Sequence, residues 1–359
     1  MAPVTLSSPV MTPAPGSGPA FGDAVAGCLL GGAVGDALGA VVEFDSIDEI
    51  RRRYGPAGLV DFPPDGGGIT DDTQMTLFTA EALIRARRRY EARRLDHAAD
   101  ELWWAYRRWL ATQELGPDRD DGSDGDVPDG GGLVDEPVLR HRRAPGNTCL
   151  SALVGNEPGF VDVPVNNSKG CGGVMRVAPV GLVALRPSGL GIASAALTHG
   201  HPSGYLAAGA AADIIGRLRA GQELRPSAEA AMEAVGVWDG HEETTGALRR
   251  ALTLAERRPV PTPEAVATLG QGWVAEEALA IAVYCALTGD SFQAAVLAAV
   301  NHSGDSDSTG AITGNLLGAA GGRAAVPAEW IAGLAERAVV EQVVEALSAC
   351  FAPSSGTSR

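Results

Sequence analysis

Residues 24–42 read AVAGCLLGGAVGDALGAVV, and no face of that stretch is polar enough to meet water. A helix of this composition must be buried all round. Its glycines cost helix propensity but let neighbouring backbones approach closely. Outward from it, apolar spacing predicts helices at 47–54, 76–94, 98–111, 147–154, 191–198, 203–220, 228–236, 243–255, 264–269, 275–287, 292–301, 309–318 and 328–352. Leu102, Trp103, Tyr106 and Leu110 recur at helical spacing as core residues, and Gly310, Gly314 and Gly318 leave a flat ridge of small residues. Alternating strands are missing. The expected fold is all-α, a single compact helical domain over 21–352 around a polar site. Tails at 1–20 and 353–359 and an acidic, glycine-rich loop at 116–135 are expected to be disordered or mobile.

Two acidic clusters interrupt this apolar chain, Thr70-Asp71-Asp72-Thr73 and Asp305-Ser306-Asp307-Ser308, more than 200 residues apart. Each mixes carboxylates with hydroxyls. Oxygen donors of that kind suit Mg²⁺, Mn²⁺ or Ca²⁺, whereas zinc calls for His and Cys at spacings absent from this chain. Thr70 or Asp71 can also be read simply as an N-cap. Asp305-x-Asp307 resembles the start of an EF-hand loop, with Gly310 at the sixth position, but Leu316 stands where the bidentate Glu is needed. Both clusters sit between small-residue stretches, where uncompensated carboxylates are costly, and a shared cation removes that cost. The expectation is one two-part metal site.

Composition narrows the function classes. With 359 residues and 45% hydrophobic content the chain can bury a large core, and a formal charge of −16 disfavours nonspecific binding to nucleic-acid backbones. Five widely spaced cysteines argue for a reducing compartment, and the N-terminus has neither the basic nor the apolar region of a signal peptide. A cytoplasmic protein with no membrane span is expected. Lys169 is the only lysine.

That lysine lies in Asn167-Ser168-Lys169-Gly170-Cys171-Gly172-Gly173-Val174-Met175-Arg176, a glycine-rich turn leading to a helical segment. Backbone N–H groups there can approach an anion, with phosphate or pyrophosphate the natural guest. Asp36 falls within the buried helix, where capping of neighbouring backbone is its expected role. Glu43, two turns on, is the carboxylate outside the clusters best placed by sequence to act as general base. His199 and His201, two residues apart, do not share a helical face and are not a joint metal site. No nucleophile elbow occurs.

In this order, GDALGAVVEF, GGGITDDTQM, NSKGCGGVMRVAPVGL, LTHGHPSGY and NHSGDSDSTGAITGNLLGA resemble the ADP-ribosylglycohydrolases of the dinitrogenase reductase-activating glycohydrolase family, over about residues 22–322. The resemblance implies an orthogonal all-α fold around a binuclear Mg²⁺ centre, with Mn²⁺ as substitute, that hydrolyses the bond joining ADP-ribose to an acceptor. It implies Thr70, Asp71, Asp72, Asp305, Asp307 and Ser308 as metal ligands, and Gly170, Cys171, Gly172, Gly173, Val174 and Met175 around the pyrophosphate and proximal ribose. His199 or His201 would line the ribose or phosphate side, and Trp273 would stack near adenosine. The base would be Glu43, Asp71 or Asp72.

The acceptor is not readable from these motifs; the Asp-Ser-Asp-Ser form is closer to the arginine-specific type. The substrate would be an ADP-ribosylated protein or a small-molecule conjugate, with nucleic-acid conjugates open. A second class stays beside the hydrolase: a protein that neutralises a cognate ADP-ribosyltransferase by occlusion, or binds ADP-ribose with little turnover.

Overall fold

The small-residue stretch forms the helix Phe21–Gly39, buried along nearly its whole length. Antiparallel to it lies the helix Ser306–Gly321, and the two meet glycine on glycine. Gly27 faces Gly318, Gly31 faces Gly314, Gly35 faces Gly310, and Gly39 faces the Ser306–Asp307 backbone. A Cβ on Gly31 would lie 2.5 Å from the Gly314 carbonyl oxygen, so the backbones touch with no room for a methyl group. Asn315 crosses the same seam and donates to the Cys28 carbonyl at 2.8 Å. Phe21–Gly39 is long and apolar enough to cross a bilayer by composition, but 89% of that window is buried inside the protein.

The computed structural model describes residues 18–64, 66–93, 98–113, 132–155 and 157–352. Among them are sixteen α-helices and four 3-10 turns, with two isolated bridges in place of any strand. The architecture is all-α, as expected. Asp71–Arg93 and Pro202–Arg219 pack against the central pair, Ala98–Thr112 packs on Asp71–Arg93, and Leu102, Trp103, Tyr106 and Leu110 are core residues. All five cysteines are free thiols.

Three expectations need correction. The helix expected over 328–352 is two, Ala328–Gly333 and Arg337–Phe351. The break is made by tertiary contacts: Ala335 N–H donates to the Gly67 carbonyl at 2.9 Å, and the Glu336 carboxylate accepts from Ile69 N–H at 3.0 Å. Both bonds hold the strip that precedes Thr70. Second, Leu133–Asp135, placed by sequence in a mobile loop, is a 3-10 turn with Leu133 buried. Third, the glycine-rich turn runs into a 3-10 turn, Cys171–Gly173, and only later into a short helix, Ala178–Val183, so no long helix N-terminus stands behind it. The expected tails, apart from residues 18–20, and residues 116–131 of the expected loop lie outside the described residues.

Candidate active site

Three segments deliver carboxylates to one place. Asp36 lies in the last turn of the first helix and Glu43 in the turn beyond it. Asp71 and Asp72 open the helix Asp71–Arg93, and Asp305 caps Ser306–Gly321, whose first turn holds Asp307 and Ser308. All six acids, with Thr70 and Ser308, are buried. Asp307 is their common neighbour. Its charge acts on Asp36, Glu43, Asp71, Asp72 and Asp305, and it shares hydrogen bonds with Glu43 and Asp305. The antiparallel seam explains the meeting: it sets the end of Phe21–Gly39 against the start of Ser306–Gly321. Two helix N-termini also open at the acids, where the dipole favours negative charge.

The groups divide by what they already hold. The Asp36 carboxylate accepts N–H and hydroxyl bonds from both Thr70 and Thr73, capping the next helix from the side as its sequence position suggested. Thr70 Oγ1 donates to Asp36 at 2.8 Å and accepts from Asp72 N–H at 3.2 Å, which leaves one lone pair. Asp71 is wrapped by a turn that has no signal in the sequence: its N–H donates to the Arg143 carbonyl at 3.0 Å, and its Oδ2 accepts from Gly146 N–H at 3.3 Å. Within that turn Ala144 adopts φ 50°, a left-handed conformation uncommon for a residue with a side chain. Asp72 Oδ2 is buried with no partner.

Burial, and after it the charge of Asp307, raises the pKa of Asp36 to about 7 and of Glu43 to about 9, and lifts Asp71, Asp72 and Asp305 well above the usual carboxylate range. Among the described residues no Arg or Lys is salt-bridged to any of them. Nor are any three His, Cys, Asp or Glu groups already closed into a metal cage. The donor chemistry nevertheless fits a hard divalent cation: buried oxygen ligands, no salt-bridged Arg or Lys among the described residues, an orphaned Asp72 oxygen and a Thr70 hydroxyl with a spare lone pair.

The glycine turn lies directly alongside. Cys171, half-buried, donates its S–H to Asp305 Oδ2 at 2.8 Å. The N–H groups of Gly170, Cys171, Val174 and Met175 are spent on Ser168, Trp273 and Cys171. That narrows the anion cradle expected over 170–175 to Gly172 and Gly173, whose N–H groups have no such bond among the described residues. Val174 and Met175 are core side chains. The glycines are needed for a second reason, on the protein side: a Cβ on Gly172 would meet Cys149 Sγ at 2.7 Å and His199 Cε1 at 2.9 Å.

The histidines separate. His199 is buried under Gly170 and Gly172, whereas His201 Nδ1 accepts from Ser203 N–H at 3.1 Å and caps Pro202–Arg219. Lys169 does not face the anion cradle. It bridges Glu243 at 2.8 Å and Glu276 at 2.6 Å, fastening the turn to two helices. Hydrogen bonds from Lys169 and then from the Ser203 hydroxyl lower the pKa of Glu243 to about 2. Trp273 is 40% exposed and stacks at 6.0 Å on Phe44, 76% exposed, a neighbour of Glu43 that sequence reasoning missed. An exposed aromatic beside a candidate base was the available signal.

Comparisons with known proteins identify the family. A sequence profile described as ADP-ribosylglycohydrolase matches residues 17–356. The chain is 27% identical over 343 residues to the ADP-ribosyl-[dinitrogen reductase] glycohydrolase of Rhodospirillum rubrum, covering 91% of this chain and 96% of that one. It is 26% identical over 349 residues to the ADP-ribosylhydrolase ARH3 of Bos taurus, covering 85% and 86%. A solved structure, an ADP-ribosylglycohydrolase-related protein complex, superposes with a TM-score of 0.59 at 26% identity, covering 92% of this chain and 99% of that one. The family match runs over nearly the whole chain: this protein belongs to the ADP-ribosylglycohydrolase family and is a glycosyl hydrolase acting on ADP-ribosylated substrates.

Proposed function

We propose that the protein releases ADP-ribose from arginine side chains of proteins in a reaction dependent on Mg²⁺ or Mn²⁺. The observation that carries the reading is the meeting of both acidic clusters with Glu43 in a buried centre to which no Arg or Lys is salt-bridged among the described residues. Thr70, Asp71, Asp72, Asp305, Asp307 and Ser308 would hold two cations. When bound, these supply a grip on vicinal ribose hydroxyls and positive charge near the reacting carbon. Arginine is favoured as acceptor because an acid-lined site in a chain of charge −16 attracts a cationic leaving group, and the Asp305-Ser306-Asp307-Ser308 form points the same way.

Glu43 is the base in this reading. Left uncompensated it keeps its proton at neutral pH; positive charge at the centre lowers its pKa toward the range in which a carboxylate accepts a proton from water. Its hydrogen bond to Asp307 fixes its orientation. Gly172 and Gly173 donate backbone N–H bonds to a phosphate oxygen, and Trp273 offers adenine a ring face.

The test is release of free ADP-ribose from arginine-ADP-ribosylated protein with Mg²⁺, set against a serine-linked conjugate. Glu43→Gln should slow release by about 10²- to 10⁴-fold while leaving ADP-ribose binding in place. Near-wild-type turnover in that variant would move the base to Asp71 or Asp72. Tight ADP-ribose binding with no release from either conjugate would sink the hydrolase and favour a binding protein.

A further inference from the structure

Arg176, at the exit of the glycine turn, is a fully buried cation that no carboxylate pairs with among the described residues. A charge kept in that state is expensive unless its hydrogen bonds do something specific. Its guanidinium lies 4.1 Å over the Tyr106 ring, and Nη1 points at the sulfurs of Cys149 and Met75, at 3.4 and 3.8 Å. Nη2 donates to the Ser194 carbonyl at 3.1 Å and to Thr198 Oγ1 at 2.8 Å. Thr198 Oγ1 in turn lies 2.8 Å from His199 Nδ1.

We propose that Arg176 and Thr198 are positioning residues that hold His199 as its Nε2–H tautomer, so that the ring presents a hydrogen-bond donor to an oxygen of the ligand held beside Gly170 and Gly172. The identity of that ligand as ADP-ribose rests on the function proposed above; the tautomer does not.

The tautomer follows from counting protons and lone pairs. Thr198 has one hydroxyl proton, and its oxygen already accepts from Arg176. The proton has two destinations, His199 Nδ1 at 2.8 Å or the Ala195 carbonyl at 3.5 Å. The Ala195 oxygen already accepts the N–H of His199 at 2.9 Å and of Thr198 at 3.1 Å, which fills both lone pairs. A 3.5 Å contact is also at the limit of hydrogen bonding. The hydroxyl therefore donates to Nδ1, and the ring proton sits on Nε2.

Nε2 lies under the glycines: a Cβ on Gly172 would be 3.2 Å from it, and one on Gly170 3.5 Å. No protein acceptor meets it among the described residues. Burial, and after it the Arg176 charge, hold the His199 pKa down to about 3, so the ring stays a neutral single-proton donor across the physiological range.

The test uses the full-length protein labelled with ¹⁵N-histidine, free of ligand, with long-range ¹H–¹⁵N correlation to read the tautomer and His199→Gln to assign the signal. The expected wild-type spectrum has a protonated Nε2 and a hydrogen-bonded, unprotonated Nδ1. Thr198→Val, nearly isosteric, should abolish the hydrogen-bonded Nδ1 signature and weaken ADP-ribose about tenfold, the loss of roughly one oriented hydrogen bond. Thr198→Ser should restore both. Arg176→Gln should broaden or shift the same signal, and if it proves too unstable to study, the Thr198 pair still decides. A wild-type Nδ1–H tautomer, or Thr198→Val with unchanged Nδ1 shift and affinity, would overturn the proposal. If wild type binds no ADP-ribose, the functional reading fails, and the ligand-free spectrum still decides the relay.

Discussion

Gly31→Ala places a methyl group in the seam that sets the acidic centre. The added Cβ would stand 2.5 Å from the Gly314 carbonyl oxygen and 3.2 Å from a Phe292 ring carbon, where ordinary contact begins at 3.4 Å. Both walls belong to packed elements, so the two helices must part by roughly 1 Å, and interiors at crystal-like density resist that. Overpacking against backbone costs about 3 kcal/mol, the upper end of the usual range. The better helix propensity of alanine offsets about 1 kcal/mol, leaving a net loss of about 2 kcal/mol. Gly246 is the control. It too is inside a helix, but a Cβ there meets only the mobile end of Arg250 at 3.6 Å, so Gly246→Ala should gain about 0.5–1 kcal/mol. Urea denaturation would therefore place the two variants on opposite sides of wild type. In calorimetry each kcal/mol moves Tm by roughly 1–2 °C for a chain of this length. Should Gly31→Ala match or exceed Gly246→Ala in stability, the glycine contact does not set the helix spacing, and the reason given for the meeting of the acids falls with it.

Asp71→Ala and Asp307→Ala should each lose Mn²⁺ binding by calorimetry while keeping the wild-type helical circular dichroism; unchanged affinity in both would remove the two-part site. Lys169→Met should unfasten the glycine turn from Glu243 and Glu276 and raise KM by about tenfold with kcat little changed, since about two charge-assisted bonds hold a binding element rather than a reacting group; a loss in kcat alone would contradict this. His199 and His302, with pKa values lowered to about 3 and about 4 chiefly by burial, should stay neutral in the folded protein from pH 8 down to 5. Because these folded values lie below the unfolded value near 6.5, their contribution to stability is complete above that pH and declines as pH falls toward 4. The acidic centre works with the opposite sign, so the histidine protonation state, read by NMR, is the quantity to follow, and a midpoint near 6.5 for either ring would contradict its burial.

The parts of the fold that could be read from sequence are those whose cause is local or periodic. Glycine every fourth residue at 310, 314 and 318 announces a backbone-to-backbone contact, and the bounds of Ile47–Tyr54 and Asn147–Val154 are legible because their ends carry caps or glycine. The two acidic clusters stood out because carboxylates are costly in such surroundings. What escaped has a distant cause. The break at 334–336 has only Gly333 as a local sign, and a single glycine inside a helical pattern is a weak one; the bonds that hold the break come from Gly67 and Ile69, far away in sequence. Arg176 looks locally like any arginine in an apolar run; its meaning lies in Tyr106, Ser194 and Thr198. The choice between His199 and His201 depended on which ring nitrogen a helix start consumes, a matter of geometry that residue type does not encode.

A chain with one lysine has one side-chain amine, and here that amine bridges two carboxylates at the base of the glycine turn. Amine-directed coupling, whether of a fluorophore, a cross-linker or a sensor surface, therefore has Lys169 as its only side-chain target. A dye placed there reports on the turn that is proposed to bind ligand, which suits fluorescence titration. The same chemistry used to immobilise the protein would tether it through that turn, and the free thiol of Cys171 lies in the turn as well, so binding measurements on a surface call for a tag elsewhere as the handle.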